Sequence, residues 1–138
     1  MIPRHVYTEE HDLFRDNVRK FMQREIQPHW EEWEAQGHIS REAWLKAGEA
    51  GLLCTHLPVE YGGSGVDFRY SSIVIEEQAY VFSSGPGFSL HSDIVAPYIL
   101  HYGSEEQKQH WLPKLCTGEV ITAIAMTEPG TGSDLAGG

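Results

Sequence analysis

The 138-residue sequence has only two cysteines, Cys54 and Cys116, too few for a disulfide framework in a domain of this length. Such sparing use of thiols fits a reducing, intracellular compartment. Basic residues are scarce as well. Ten Lys+Arg stand against 20 Asp+Glu, a formal net charge of −10. Nucleic acids and anionic membrane surfaces need a clustered basic face and are excluded as the main partner. No apolar run approaches the ~18 residues that span a bilayer. Met1-Ile2-Pro3-Arg4-His5 lacks the apolar h-region of a secretory signal. The expected location is the cytoplasm, or the mitochondrial matrix if a transit peptide has been removed. The chain is too short for a complete multi-domain enzyme, yet long enough to bury roughly 65–70% of its unfolded surface.

What is present is a succession of helix patterns. Thr8 is a good N-cap with Glu9 and Glu10 behind it, and Leu13, Phe14, Val18, Phe21, Met22 and Ile26 recur at helical spacing. Gln27-Pro28 predicts a stop. A short aromatic helix with Trp30 and Trp33 follows and ends at Gly37, and Ser40 caps another carrying Trp44, Leu45 and Ala47 up to Gly51. Pro58 with Gly62, Gly63 and Gly65 predicts an irregular stretch over 51–66. Asp67 restarts a helix with Tyr70, Ile73, Val74 and Val81 as its apolar stripe, and Ser83-Ser84-Gly85-Pro86-Gly87 breaks it. The next helix carries Leu90, Ile94, Val95, Tyr98 and Ile99 and stops at Gly103. Ser104-Glu105-Glu106-Gln107 is a capping box for a last helix ending around Leu112-Pro113. The four tryptophans, including Trp111, sit at helix-face positions suited to core or interface.

After Gly118 the character changes. Val120–Thr127 is apolar and β-branched, which predicts a strand, and Glu128-Pro129-Gly130-Thr131-Gly132-Ser133-Asp134 is a Gly/Pro turn. The fold class expected is all-α: about six helices over residues 1–118, then at 119–138 the beginning of a β-domain whose other strands are absent. An unpaired edge strand is expected to lie on a neighbouring chain or to run as an extended tail. Successive glycines free backbone N–H groups to converge on an anion such as a pyrophosphate, with Thr131 and Ser133 adding hydroxyls. The spacing fits neither the dinucleotide nor the Walker fingerprint, so the residues leave an ordinary turn and a ligand loop both open. Of the eight histidines, only His56 (in Cys54-Thr55-His56) and His101 deserve weighing as metal ligands. Neither has a second ligand pair at zinc spacing, and no metal site is expected. Glu76, Glu77, Glu105, Glu106 and Glu128 read as solvated faces and caps.

The string Ala125-Met126-Thr127-Glu128-Pro129-Gly130-Thr131-Gly132-Ser133-Asp134-Leu135-Ala136-Gly137 resembles the first signature of the acyl-CoA dehydrogenases. Pro58-Val59-Glu60-Tyr61-Gly62-Gly63-Ser64-Gly65 is similar to a loop between that family's N-terminal helices. Gly103-Ser104-Glu105-Glu106-Gln107-Lys108, with Leu112-Pro113 and Gly118 behind it, is similar too. The matches lie in order along essentially the whole chain. Thr131 departs from the pattern, where alanine is commoner.

The resemblance implies the N-terminal helical domain of a FAD-dependent enzyme that oxidises the Cα–Cβ bond of an acyl-CoA thioester to a trans-2-enoyl-CoA. By the same match, the Ile124 to Ser133 stretch lines the flavin. Ile124 and Ala125 are among the cofactor-binding residues, Met126 and Thr127 meet the pyrimidine edge of the isoalloxazine, Gly132 and Ser133 lie near the pyrophosphate, and Ser133 also faces the acyl-CoA. The break at Pro86-Gly87 resembles the long-chain pattern, with Phe88, Leu90, His91 and Ile94 following on the pocket side. The implied electron acceptor is an electron-transferring flavoprotein, and the implied assembly is a homotetramer or homodimer. The family's catalytic glutamate belongs to a C-terminal domain, so these 138 residues alone are expected to be inactive and to hold no FAD. A competing reading from the residues is a non-catalytic helical module that binds a partner or a lipid thioester, and within the family an oxidase-type relative is open too.

Overall fold

The computed structural model describes residues 5–81, 83, 85–130 and 132–133. At its start the Thr8 backbone N–H donates to His11 Nδ1 at 3.1 Å, opening α1 (Glu9–Phe21). The predicted stop near Gln27-Pro28 falls where the first helical run ends at Ile26 and a 3-10 turn begins. A π-turn (Met22–Ile26) passes into a 3-10 turn (Gln27–His29) and directly into α2 (Trp30–Gln36). Pro28 sits at the start of its own helical segment, where a missing N–H forfeits little. Met22 and Ile26, both wholly buried, hold the wider turn against the core.

Other boundaries fall where the caps place them. Gly37 ends α2 at φ +80°. Ser40 Oγ accepts from Ala43 N at 3.2 Å to open α3 (Arg41–Glu49). Asp67 accepts from Arg69 N at 2.9 Å to open α4 (Phe68–Tyr80). A π-turn (Leu90–Val95) leads into α5 (Ala96–Tyr102). Ser104 and Gln107 form the expected reciprocal box at the head of α6 (Glu105–Thr117).

Pro113, however, lies inside α6 rather than at its end. An internal proline costs about 3 kcal/mol. Leu115 and Cys116, which follow it, are buried, and a fully buried leucine alone contributes roughly 1.5–3 kcal/mol. Continuing the helix therefore wins. Leu13 also departs from its predicted core position, at 67% exposure. The buried strip of α1 runs through His11, Val18 and Phe21, so a histidine fills the place that spacing offered to leucine.

One core joins Val18, Phe21, Met22 and Ile26 to Trp44, Leu57, Ile73, Phe88, Leu112 and Leu115. α1 lies along α4, and α3 and α5 both rest on α6. The α1–α4 seam holds a buried carboxylate: Glu77, 1% exposed, accepts from Arg19 Nε at 2.9 Å and Arg15 Nη1 at 3.1 Å. The α3–α6 crossing is set by two glycines. A Cβ on Gly48 would stand 2.2 Å from the Thr117 carbonyl oxygen, and one on Gly118 would stand 2.3 Å from that of Trp44.

No strand forms over Val120–Thr127 among the described residues. Val120, Thr122 and Ile124 are half-buried while Ile121, Ala123 and Ala125 are exposed, the period of two expected of an extended chain. A strand needs a ladder partner, and none of the described residues supplies one.

Gly48→Ala should lower the unfolding free energy by about 2 kcal/mol, because backbone overlap outweighs the gain in helix propensity. Glu77→Ala should cost roughly 1–3 kcal/mol by removing the buried carboxylate shared by Arg15 and Arg19, Arg15 retaining Glu76. Urea unfolding of each variant checks both.

Candidate functional site

From Phe88 to Tyr102 the chain turns its polar side inward and its apolar side out. Phe88, His91, Ser92 and Ala96 are buried. Tyr98 is 57% and Tyr102 83% exposed, and Ile94 is exposed with them. The inversion is stable because the inward polar groups are engaged. Ser92 Oγ accepts from Cys54 N at 2.9 Å. His91 Nε2 lies 3.0 Å from the Leu115 carbonyl oxygen, and its Nδ1 lies 2.9 Å from Thr122 Oγ1 and 3.3 Å from Thr122 N. The carbonyl can only accept, so Nε2 carries the proton and Nδ1 is the acceptor. Trp44 meets both His91 and Phe88 edge-on.

The outward apolar side borders a groove of about 650 Å³ between α5, α6 and the start of the extended segment. Its walls include Tyr98, Ile99, Tyr102, Trp111, Val120 and Thr122. Leu90, half-buried, and Ile94, exposed, precede it on the same helical stretch. The other pocket-side candidates are placed differently. Pro86 is buried, Gly87 is half-buried, Phe88 belongs to the core and His91 is wholly enclosed with both ring nitrogens taken. The Pro86 carbonyl accepts from Gln78 Nε2 at 2.7 Å, and the same nitrogen donates to the Ser83 carbonyl at 3.1 Å. Sequence reasoning placed Tyr98 and Ile99 on a helix without a site role and overlooked Tyr102, Trp111 and Thr122 as groove residues. The legible signal was the polar run His91-Ser92-Asp93, which marks a second buried face.

Beyond Thr122 the chain leaves the domain. No hydrogen bond joins the Ile124–Thr127 backbone to another described residue. Ala125, Met126, Thr127, Gly132 and Ser133 are exposed, and a Cβ at Gly130 or Gly132 would meet nothing within 4 Å. This donor set of free main-chain groups, hydroxyls and open glycines suits a large polar cofactor with an anionic bridge. Thr131 and Asp134–Gly138 lie outside the described residues. No cluster of three metal-binding side chains occurs among the described residues, and no described helix is long and apolar enough to cross a membrane.

A second buried polar pair sits behind the wall. His56 Nδ1 is 3.9 Å from Asp93 Oδ1, and neither atom has a hydrogen-bond partner among the described residues. Burial holds the His56 imidazole below its usual range, with Asp93 pulling the other way. Burial raises the Asp93 carboxyl, against a hydrogen bond from Ser71. His91 is likewise held below its usual range by burial.

Residues 8–119 match the family described as acyl-CoA dehydrogenase, N-terminal domain. The chain is 57% identical over 134 residues to the mitochondrial long-chain specific acyl-CoA dehydrogenase of Sus scrofa, covering 97% of this chain and 31% of that protein. Among solved structures, the acyl-CoA dehydrogenase of Geobacillus kaustophilus superposes with a TM-score of 0.91 at 53% identity, over 97% of this chain and 35% of the other. A glutaryl-CoA dehydrogenase from Mycobacterium smegmatis in complex with FADH2 gives 0.85 at 30% identity, over 95% and 34%. The chain thus spans about a third of the length of the relatives it matches.

His91 and His56 stay neutral in the fold at pH values where an unfolded histidine, near 6.5, takes a proton. The unfolded state then binds more protons, so stability should fall as pH drops below about 6.5, by up to roughly 1.4 kcal/mol per unit for each histidine. Urea midpoints measured from pH 7 to 5.5 should decline, and His91→Asn should flatten part of that slope.

Proposed function

Because the chain belongs to the acyl-CoA dehydrogenase family through its N-terminal domain, we propose that it contributes the acyl wall and part of the flavin seat of a FAD-dependent acyl-CoA dehydrogenase acting on long chains. The observation that carries this reading is the outward apolar face of Leu90, Ile94, Tyr98 and Tyr102, which runs up to an extended segment whose backbone is unpaired among the described residues. An isolated apolar patch of this kind asks for an apolar occupant. A free main chain next to it asks for a polar one.

On this reading Ile124, Ala125, Met126 and Thr127 hold the edge of the isoalloxazine with main-chain groups, and the Thr127 hydroxyl adds a donor. Gly132 and Ser133 approach the pyrophosphate, Ser133 also facing the thioester. FAD, when bound, supplies the two-electron acceptor for Cα–Cβ oxidation. Leu90 and Ile94 present a hydrocarbon surface to the acyl chain, and Pro86-Gly87 keeps the base of the pocket free of bulky or polar groups. Deprotonation at Cα needs a base held against the substrate. Two carboxylates of this chain are committed elsewhere: Glu77 is enclosed by Arg15 and Arg19, and Glu105 accepts from the Tyr61 hydroxyl at 3.0 Å. The base is assigned to the part of the protein outside these residues. An electron-transferring flavoprotein is the proposed acceptor, a homo-oligomer the proposed assembly, and the cytoplasm or mitochondrial matrix the proposed location.

The test is spectroscopic. The full-length protein should purify with a flavin absorbance that bleaches on adding palmitoyl-CoA and should yield the trans-2-enoyl product. A full-length protein that holds no flavin, or whose flavin no acyl-CoA reduces, sinks the reading. Leu90→Glu should lower kcat/KM for a sixteen-carbon thioester at least tenfold, about 1.4 kcal/mol, while sparing an eight-carbon one. A chain-length profile measures that.

A further inference from the structure

His91 was expected on the pocket side, yet it is wholly buried. Its ring joins three parts of the molecule. The imidazole belongs to the π-turn Leu90–Val95, the turn that presents Leu90 and Ile94 outward. Nε2–H donates to the Leu115 carbonyl near the end of α6, and Nδ1 accepts from the Thr122 N–H and hydroxyl. Neighbouring anchors hold the turn still: Ser92 Oγ takes the Cys54 N–H, and Trp44 packs edge-on against the imidazole.

Among the described residues, Thr122 is the last whose backbone hydrogen bonds to the helical domain. Val120 N still donates to the Lys114 carbonyl at 3.1 Å, and beyond Thr122 the Ile124–Thr127 backbone has no partner among the described residues. The segment is extended, with residues 120, 122 and 124 turned toward the domain and 121, 123 and 125 away. A slip of one residue in an extended chain exchanges its two faces. Whatever holds Thr122 therefore decides which side chains, and which N–H and C=O groups, face the cofactor. The two acceptor distances at Nδ1 require the ring to be neutral with its proton on Nε2, a tautomer that the Leu115 carbonyl selects.

We propose that His91 is a positioning residue, clamping Thr122 to the turn that carries the acyl wall and so fixing the register in which Ile124–Thr127 meets the flavin. The inference rests on the flavin reading above. It adds that wall and flavin seat are coupled mechanically through the His91 imidazole.

The experiment uses the full-length, FAD-loaded protein. Thr122→Val removes the hydroxyl donor at constant shape, Thr122→Ser keeps it, and His91→Leu removes the acceptor. Thr122→Val should raise the FAD dissociation constant about tenfold and shift the visible flavin band. Thr122→Ser should restore both to within about threefold. The double variant His91→Leu/Thr122→Val should be no worse than the weaker-binding single variant, since both act on one link. Thr122 is half-buried at the domain's edge, so its variants report even if His91→Leu fails to fold. A wild-type protein without flavin overturns the functional reading and this inference with it. A flavin-loaded wild type whose folded Thr122→Val variant has the same affinity and spectrum overturns this inference alone.

Discussion

The crossing of α3 on α6 is the constraint from which the site follows. Gly48 lies against the backbone of Thr117, and Gly118 lies against that of Trp44, so each helix meets the other's main chain without a side chain between. Any Cβ there would push the end of α6 outward. That end carries the Leu115 carbonyl, and the turn at Gly118, φ +76°, aims the chain that follows. The Trp44 ring, on α3, simultaneously packs against His91 and Phe88. The two glycines thus set the distance over which the π-turn, α6 and the departing segment can share hydrogen bonds.

Within that frame the π-turn solves a problem of two faces. A regular α-helix from Phe88 onward could present one apolar stripe to the core. Here the core takes Phe88 and Ala96 together with His91 and Ser92, each with its polar atoms engaged. Inward polar groups cost little when satisfied and a great deal when not. Satisfying them leaves Ile94 exposed and frees Tyr98 and Tyr102 to line an open groove. The wider turn admits this arrangement by shifting where successive side chains point.

Much of this architecture was legible in the sequence because its signals are local. Ser40, Asp67 and Ser104 cap helices through their own side chains, and Gly37 and Gly118 end them in a left-handed conformation. Pro113 departs from its expected place at a helix end because proline's local cost is outweighed by the buried neighbour Leu115. The strand over Val120–Thr127 is predicted from an apolar, β-branched run, and the segment is extended with alternate burial, but pairing is a property of two segments and cannot be read from one. Placement of Leu90 and Ile94 away from His91 depended on the π-turn, which shifts a face by one residue and leaves no mark in composition. The groove was invisible for a related reason: an apolar stripe looks the same whether a core or a ligand covers it.

Among the described residues, the Gln78 amide ties the connection that follows α4 to the helix. Gln78 Nε2 donates to the main-chain carbonyls of Ser83 and Pro86, acceptors that every amino acid carries. These two hydrogen bonds therefore do not depend on the side chains at 83 and 86. Side chains at the foot of the wall can be exchanged, and the depth of the cavity retuned, while both bonds are kept. A scaffold anchored in this way separates what must stay from what can vary.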